Sequence, residues 1–510
     1  MSNLFIRATL MVFLVTMASA CVRAGSQPPT PTSVAIEITV RPSFTEAAPT
    51  EVGAPTRTAP ASQAAPTASP TSTVRAKTDS SPDFLEIPPG IYAPDHPDFS
   101  VAAVPPTIDF SIVKMTPMYG EPYGVWGEAV RGPDDAFYFA IGNHKGYGGA
   151  DAYLMRYEVE TKTTTHLLST RNVCGWSDEQ FGDGKLHGIP DIAPNGDLWL
   201  LTFYGPNPKK SDWGKNYFGG WLIKYNIYSG AVECLGHPVG DDSWPIHTWD
   251  WERGRLYAIG EYGLYQDPVS GDEPAPYPSP AYDWGKLLVY DTQNSAVRQG
   301  QTPPPDNIHW NRRSLLLDRS TGIVYGTESD APYQFVRYDP ATDTFSRMNA
   351  RLETAPLYSW TTQKNQDGSF FIFDQNGGFY KFFPEQERVE KIGTNWLEGT
   401  WIENMVLSPG GRYLYYISAS GLGGSPRPFD TGLPLIQYDT RSGQKKVLAF
   451  LAPHYFEKYQ FGLCCTYNLA ISADSSVLFT AVNGDYGQAA YGQVATLAIH
   501  IPESERPDDF

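Results

Sequence analysis

Nine histidines are spread through a chain of 510 residues, and three of them recur at one kind of position. His187, His247 and His309 each stand at the head of a short apolar run of strand length. Neutral imidazoles placed this way suit two kinds of chemistry. One is proton transfer near neutral pH, with His187, His247 and His309 as candidate bases and Tyr204 as a candidate acid. Arg312, or its neighbour Arg313, is then the candidate clamp for a substrate carboxylate. The other is metal ligation, with His187, His247, His309 and the carboxylate of Glu261 as a candidate set for a divalent ion. Around them lie residues able to contact a ligand: His144 and Lys145, and the aromatic faces of Trp213, Tyr217, Tyr262, Trp284 and Trp401. A plainer role stands beside each of these. A histidine at a strand head also hydrogen-bonds backbone, and aromatic side chains in long loops also pack on one another.

The elements that must position these residues recur along the chain. Residues 186–235 give the fullest copy: LHGIPDIAPNGDLWLLTFYG, a long insertion, then GGWLIKYNIYSGAVECL. Apolar runs separated by Asn195-Gly196, the insertion and Tyr228-Ser229-Gly230 read as a four-stranded antiparallel meander. Its second strand recurs in DDAFYFAIGN, RGRLYAIGEY, TGIVYGTESD, DGSFFIFDQN, GGRYLYYISAS and SSVLFTAVNG, and its third in segments such as LLVYDTQNSAVR and LIQYDTRSGQKK. Aligned on Phe137, Leu198, Leu256, Val324, Phe370, Leu414 and Leu478, there are seven copies.

The seventh copy stops after its third strand, VATLAIHIP, while an unmatched strand, TIDFSIVKM, precedes the first. Pairing the two closes a ring and leaves no exposed sheet edge. The chain therefore reads as all-β, a seven-bladed propeller of four-stranded antiparallel blades over residues 83–510, its last blade completed by an N-terminal strand. In such a meander the blade-to-blade connections share a face with the second-to-third-strand loops. That face carries the long insertions, the three histidines, Trp126, Trp360, Glu403, Tyr467 and Asn468, with Glu328, Asp374 and Asp485 in the adjacent loops. Loops of this length are more often functional than decorative.

The third-strand signature resembles those of seven-bladed propellers in the virginiamycin B lyase-like, gluconolactonase-like and Kelch-like groups. The sialidase-type Asp-box, WD dipeptides and tryptophan-docking motifs are missing from the sequence. The histidine-ringed mouth is similar to that of propeller polysaccharide lyases, in which a His or Tyr removes the proton α to a uronate carboxylate. That resemblance implies a lyase acting on uronate-containing glycans. The alternatives are a non-catalytic glycan- or protein-binding propeller and a metal-dependent lactonase or esterase using Glu261, Glu328, Asp374 or Glu403.

Composition bounds the partners. A net charge of −18 with no basic stripe argues against nucleic acid. Arg7 followed by ATLMVFLVTMASA reads as an export signal over residues 1–20. Ala18-Ser19-Ala20-Cys21 resembles a bacterial lipobox, which implies lipidation at Cys21, with Ala18 where Leu is usual. Residues 21–82, rich in Pro, Thr, Ser and Ala, read as a tether to the cell surface. The oxidising exterior permits disulfides among Cys174, Cys234, Cys464 and Cys465, and three pairings are open.

Overall fold

The computed structural model describes residues 73–89, 99–113, 123–187, 191–262 (save 207, 210 and 241), 285–299, 308–354 (save 309, 312 and 330), 360–395, 402–418 (save 403), 432–485 and 492–506. All of them lie in the compact unit Ser62–Phe510. The export signal, Cys21 and most of the tether fall outside the described residues. Among those described, no helix is long and apolar enough to cross a membrane.

Seven antiparallel sheets follow one another in chain order. Blade 2 shows the pattern: Lys185–Leu186 innermost, then Asp197–Phe203, Leu222–Asn226 and Val232–Gly236. Blade 5 has three described strands, its innermost position marked by the single bridge of Trp360 to Ile372. The second strands are apolar on both faces because a neighbouring blade covers each side. Every residue of Phe137–Gly142, for example, is buried.

Seven apolar clusters fill the seven seams between blades, so the ring is complete. Phe137 of blade 1 stacks on Phe479 of blade 7 with centroids 5.0 Å apart. The third-strand signature also has a mechanical reason. Its closing Asn or Asp turns back onto the following amides: Asn226 accepts from Tyr228 and Ser229, Asp291 from Gln293 and Asn294, and Asp439 from Arg441 and Ser442. Each such side chain stands in for a backbone acceptor and fixes the tight turn to the fourth strand.

The expected closure is present. Thr107–Ile112 pairs antiparallel with Gln493–His500 as the outer strand of blade 7. The chain reaches further than composition suggested, however. Thr73–Arg75 adds a fifth strand to blade 1, Lys77–Asp79 adds one to blade 7, and Phe99–Val101 pairs parallel with the outer strand of blade 6. The strand Thr73–Arg75 thus lies inside the stretch read as tether. The first two of these strands are short and mostly polar and are held by backbone pairing and two buried carboxylates, whereas Phe99 and Val101 pack on the seam between blades 5 and 6. Asp79 accepts from His454 Nε2 (2.7 Å) and Lys458 Nζ (2.7 Å). Asp109 accepts from Thr78 (2.6 Å) and Lys162 (2.9 Å) and meets His500 Nε2 at 2.7 Å.

Candidate functional site

On the face that carries the long loops, a continuous set of contacts runs across the mouths of blades 4, 2 and 1. His187 follows the innermost strand of blade 2, Lys185–Leu186, and so does not stand at its head; it is 2 % exposed. Its Nδ1 lies 2.7 Å from the Pro245 carbonyl, which cannot donate, so Nδ1 carries the proton and Nε2 is left as an acceptor. Nε2 lies 3.4 Å from Arg313 Nη1. The His187 ring meets the edge of Phe203, which stacks on Tyr204 at 4.1 Å.

Lys185 sits two residues before His187, and strand alternation puts both on one side. Its ammonium is 5.5 Å from the Phe203 ring and 4.9 Å from the Trp126 ring. His144, Tyr123 and Trp126 form a stacked trio, with His144 5.2 Å from each of the other two. Burial, together with the charge of Lys185, pulls the His144 imidazole down to about 4, so that ring is neutral at physiological pH.

The vicinal pair Cys464–Cys465 packs with Trp126 and Tyr467 beside this trio. The second bridge, Cys174–Cys234 (Cα–Cα 5.3 Å), ties the short helix Thr170–Cys174 to the outer strand of blade 2. Of the three open pairings, the structure therefore adopts the one that joins neighbours.

The loop carrying His144 is set by close backbone approach. His144 itself is left-handed (φ 53°), and its amide donates to the Gly184 carbonyl at 3.2 Å. A Cβ on Gly184 would meet the Lys145 backbone nitrogen at 2.8 Å, and one on Gly205 would meet the Lys145 carbonyl oxygen at 2.6 Å. Only glycine permits this approach. Lys145 is exposed beside it.

Several sequence-derived candidates lie elsewhere. His247 is not at a strand head. The innermost strand of blade 3 begins at Asp242 and runs to Asp250, which leaves His247 in mid-strand, 2 % exposed. There burial lowers its imidazole to about 4, against a small opposing effect from Asp191. It belongs to inter-blade packing. Tyr204 is 2 % exposed and lies beneath the mouth surface rather than on it.

Tyr217 is equally buried, and its hydroxyl donates to Asp183 (2.7 Å) and Ser243 (2.8 Å). Asp183 also accepts from Thr202, and burial raises its carboxyl to about 7. Trp213 packs edge-on against Tyr217 at 4.7 Å. The blade 2 insertion therefore makes a small core of its own with Phe181, Phe203 and Tyr204. It is a wall for the mouth more than a row of free stacking faces.

The carboxylates that a metal-dependent hydrolase would require are partly committed. Glu328 pairs with Arg347 at 2.7 Å, and Asp374 accepts from Tyr380 and from the Gly378 and Asn376 amides. Trp360 is buried in the seam between blades 4 and 5, and Asn468 binds the Ala481 backbone. Among the described residues no three His, Cys, Asp or Glu side chains are grouped to hold a metal ion. His309, Arg312, Trp284, Trp401 and Glu403 lie outside the described residues, as do the side chains of Glu261, Tyr262 and Asp485.

Two contributors were missed in the sequence. Lys185 was legible as the residue two before His187. Phe203, at the end of an apolar strand, gave no signal distinguishing it from core.

No family model and no curated protein matches the chain. Among solved structures, the chain is similar to the extracellular domain of the one-component system BT4673 from B. thetaiotaomicron, with 13 % identity and a TM-score of 0.44. That match covers 76 % of this chain and 39 % of that one, so the chain spans well under half of that protein's length. It is also similar to a chain of a mitotic checkpoint complex, with 10 % identity and a TM-score of 0.44, over 90 % of this chain and 99 % of that one.

Proposed function

We propose that the mouth binds an acidic saccharide at the cell surface and cleaves it by β-elimination. His187 is the base and Arg313 the carboxylate clamp. The observation that carries this reading is the pairing of the two. An imidazole whose Nδ1 proton is held by the Pro245 carbonyl accepts at Nε2 from the Arg313 guanidinium, so a substrate carboxylate must draw that guanidinium to itself before the Nε2 lone pair can take a proton. A uronate carboxylate bound to Arg313 brings its α-carbon to that lone pair. Neutralising the carboxylate makes the α-proton more acidic, because charge that builds up as the proton leaves is stabilised. His187 takes the proton, the new C=C bond forms, and the bond to the glycosidic oxygen breaks, that oxygen leaving as an alkoxide that takes its proton from solvent water. Lys185 adds a second positive charge, and the Tyr123–Trp126–His144 trio offers a face for a sugar ring. Arg313 takes the role that the sequence alone divided between it and Arg312.

Export and lipidation at Cys21 belong to the same proposal, since they place the mouth where extracellular polymers are met.

The test is a panel of uronate-containing polysaccharides, read as absorbance from the unsaturated product. Product formation that is lost in His187→Ala and Arg313→Ala supports the reading. Turnover unchanged in both variants overturns it. Two observations favour a second reading, non-catalytic capture: the tyrosine nominated as acid, Tyr204, is buried, and the His187 imidazole is equally buried at 2 % exposure. Saturable binding of the same polymers without product identifies that case.

A further inference from the structure

On the opposite face, where the loops are short, a cavity of about 390 Å³ opens between blades 2 and 3. That size falls within the roughly 300–1,000 Å³ of small-ligand pockets. Three turns build it: the first-to-second-strand turns of both blades, at Asn195 and at Trp251, and the third-to-fourth-strand turn of blade 3, at Thr292 and Gln293. Trp199 and Trp249 form its apolar back, 3 % and 5 % exposed, and Trp251 lies partly open at its rim.

The lining is electrically balanced. Lys224 is paired with Asp197 at 3.0 Å, and its ammonium covers the Trp199 ring at 5.6 Å. The buried Trp249 Nε1 has no hydrogen-bond partner among the described residues. That nitrogen is itself closed to solvent, so it belongs to the back of the groove and is not offered to a ligand. Polar groups remain for a ligand: the Gln293 amide and Thr292 hydroxyl have no side-chain bond among the described residues.

We infer that this groove is a second binding site, and that it takes a neutral sugar ring. A sugar ring pairs apolar C–H faces with hydroxyls that both donate and accept. It therefore matches a partly open indole at Trp251 flanked by a primary amide and a hydroxyl. A charged ligand gains nothing from a cation and carboxylate already joined to each other. The site is separate from the mouth and does not rest on the reading given to it.

The experiment is affinity electrophoresis of the purified full chain in gels containing neutral glucan, mannan or xylan. Wild type is expected to be retarded by at least one polymer. Trp251→Ala should weaken binding about tenfold, the loss of one aromatic stacking contact. Trp251→Phe should restore most of the retardation. Gln293→Ala, a change on an exposed turn, should weaken binding without altering the thermal melt, which keeps the test valid if Trp251→Ala misfolds. Three results would overturn the assignment: no retardation by any neutral polymer, retardation untouched in both alanine variants, or displacement by a tryptophan- or proline-rich peptide but by no saccharide.

Discussion

Asp183 offers the sharpest test of how the mouth is supported. Its side chain is fully buried under the blade 2 insertion, where it accepts from Thr202 and Tyr217. Burial raises its carboxyl from 3.8 to about 7. The folded protein thus holds this proton more tightly than the unfolded chain does, and unfolding releases it. The resulting stability is fully present below the unfolded value and is lost as pH rises through about 7.

Each pH unit well inside that window is worth about 1.4 kcal/mol and the slope halves at the folded pKa, so between pH 5 and 7 the wild type should lose ~2 kcal/mol through this group. With on the order of 350 described residues and ~2.1 cal/mol/K per residue, the unfolding entropy is about 0.7 kcal/mol/K, and the loss becomes ~3 °C in Tm. Asp183→Asn keeps the shape and one carbonyl acceptor but does not titrate. Scanning calorimetry from about pH 5 to pH 8 should show the variant gaining ~3 °C on the wild type. Asp151, raised to about 6 chiefly by burial, contributes equally to both proteins and cancels. Parallel curves would refute the reasoning, as would a wild type that gains on the variant with rising pH.

Two further outcomes follow from the geometry. Asp79→Ala removes the acceptor for His454 and Lys458 and should cost about 3 kcal/mol at neutral pH, seen by denaturant unfolding and by faster exchange of the Ala76 amide. Burial pushes the Asp79 carboxyl up, but the bonds from Lys458 and His454 outweigh it and hold it below 3.8, so the gap between variant and wild type should close as pH falls below that value. Lys185→Met keeps the apolar stem over Trp126 and removes one of the two charges; affinity for acidic saccharides should fall about tenfold with a weaker salt dependence, Arg313 remaining, and Tm unchanged. A salt dependence equal to that of wild type would remove Lys185 from the site.

The ring was legible in the sequence because two signals coincide in blades 2, 3, 4 and 6 and the first of them recurs in the others. Strands apolar on both faces mark second strands such as Phe137–Gly142, and the Tyr-Asp or Tyr-Asn ending marks the turn that closes the third. The strap Thr73–Asp79 was not legible. It is built of Thr, Lys, Arg and Asp and joins its neighbours through backbone, which leaves no pattern of burial to read. His247 was misplaced for a related reason. The strand Asp242–Asp250 is buried along its whole length, so periodicity gave no hint that it starts five residues ahead of the histidine. Tyr217 and Trp213 were legible as aromatic but not as core, since only the buried carboxyl of Asp183 shows which way the insertion folds.

The mouth and the closure of the ring meet at one seam. Blade 7 is completed by Thr107–Ile112, and the strap binds the outer edges of blades 7 and 1 together. At the inner edge of the same seam, Asn483 of blade 7 accepts from the Val125 amide (2.7 Å) and donates to the Val125 carbonyl (2.8 Å). Val125 is the residue next to Trp126, and the Cys464–Cys465 pair packs against that indole from the blade 7 side. The position of Trp126, and through it of Lys185 and His144, is therefore fixed by contacts that exist only when the ring is shut. A propeller needs such a latch for stability. Here the latch also aligns the aromatic half of the mouth with the His187–Arg313 half, which blades 2, 3 and 4 hold on their own.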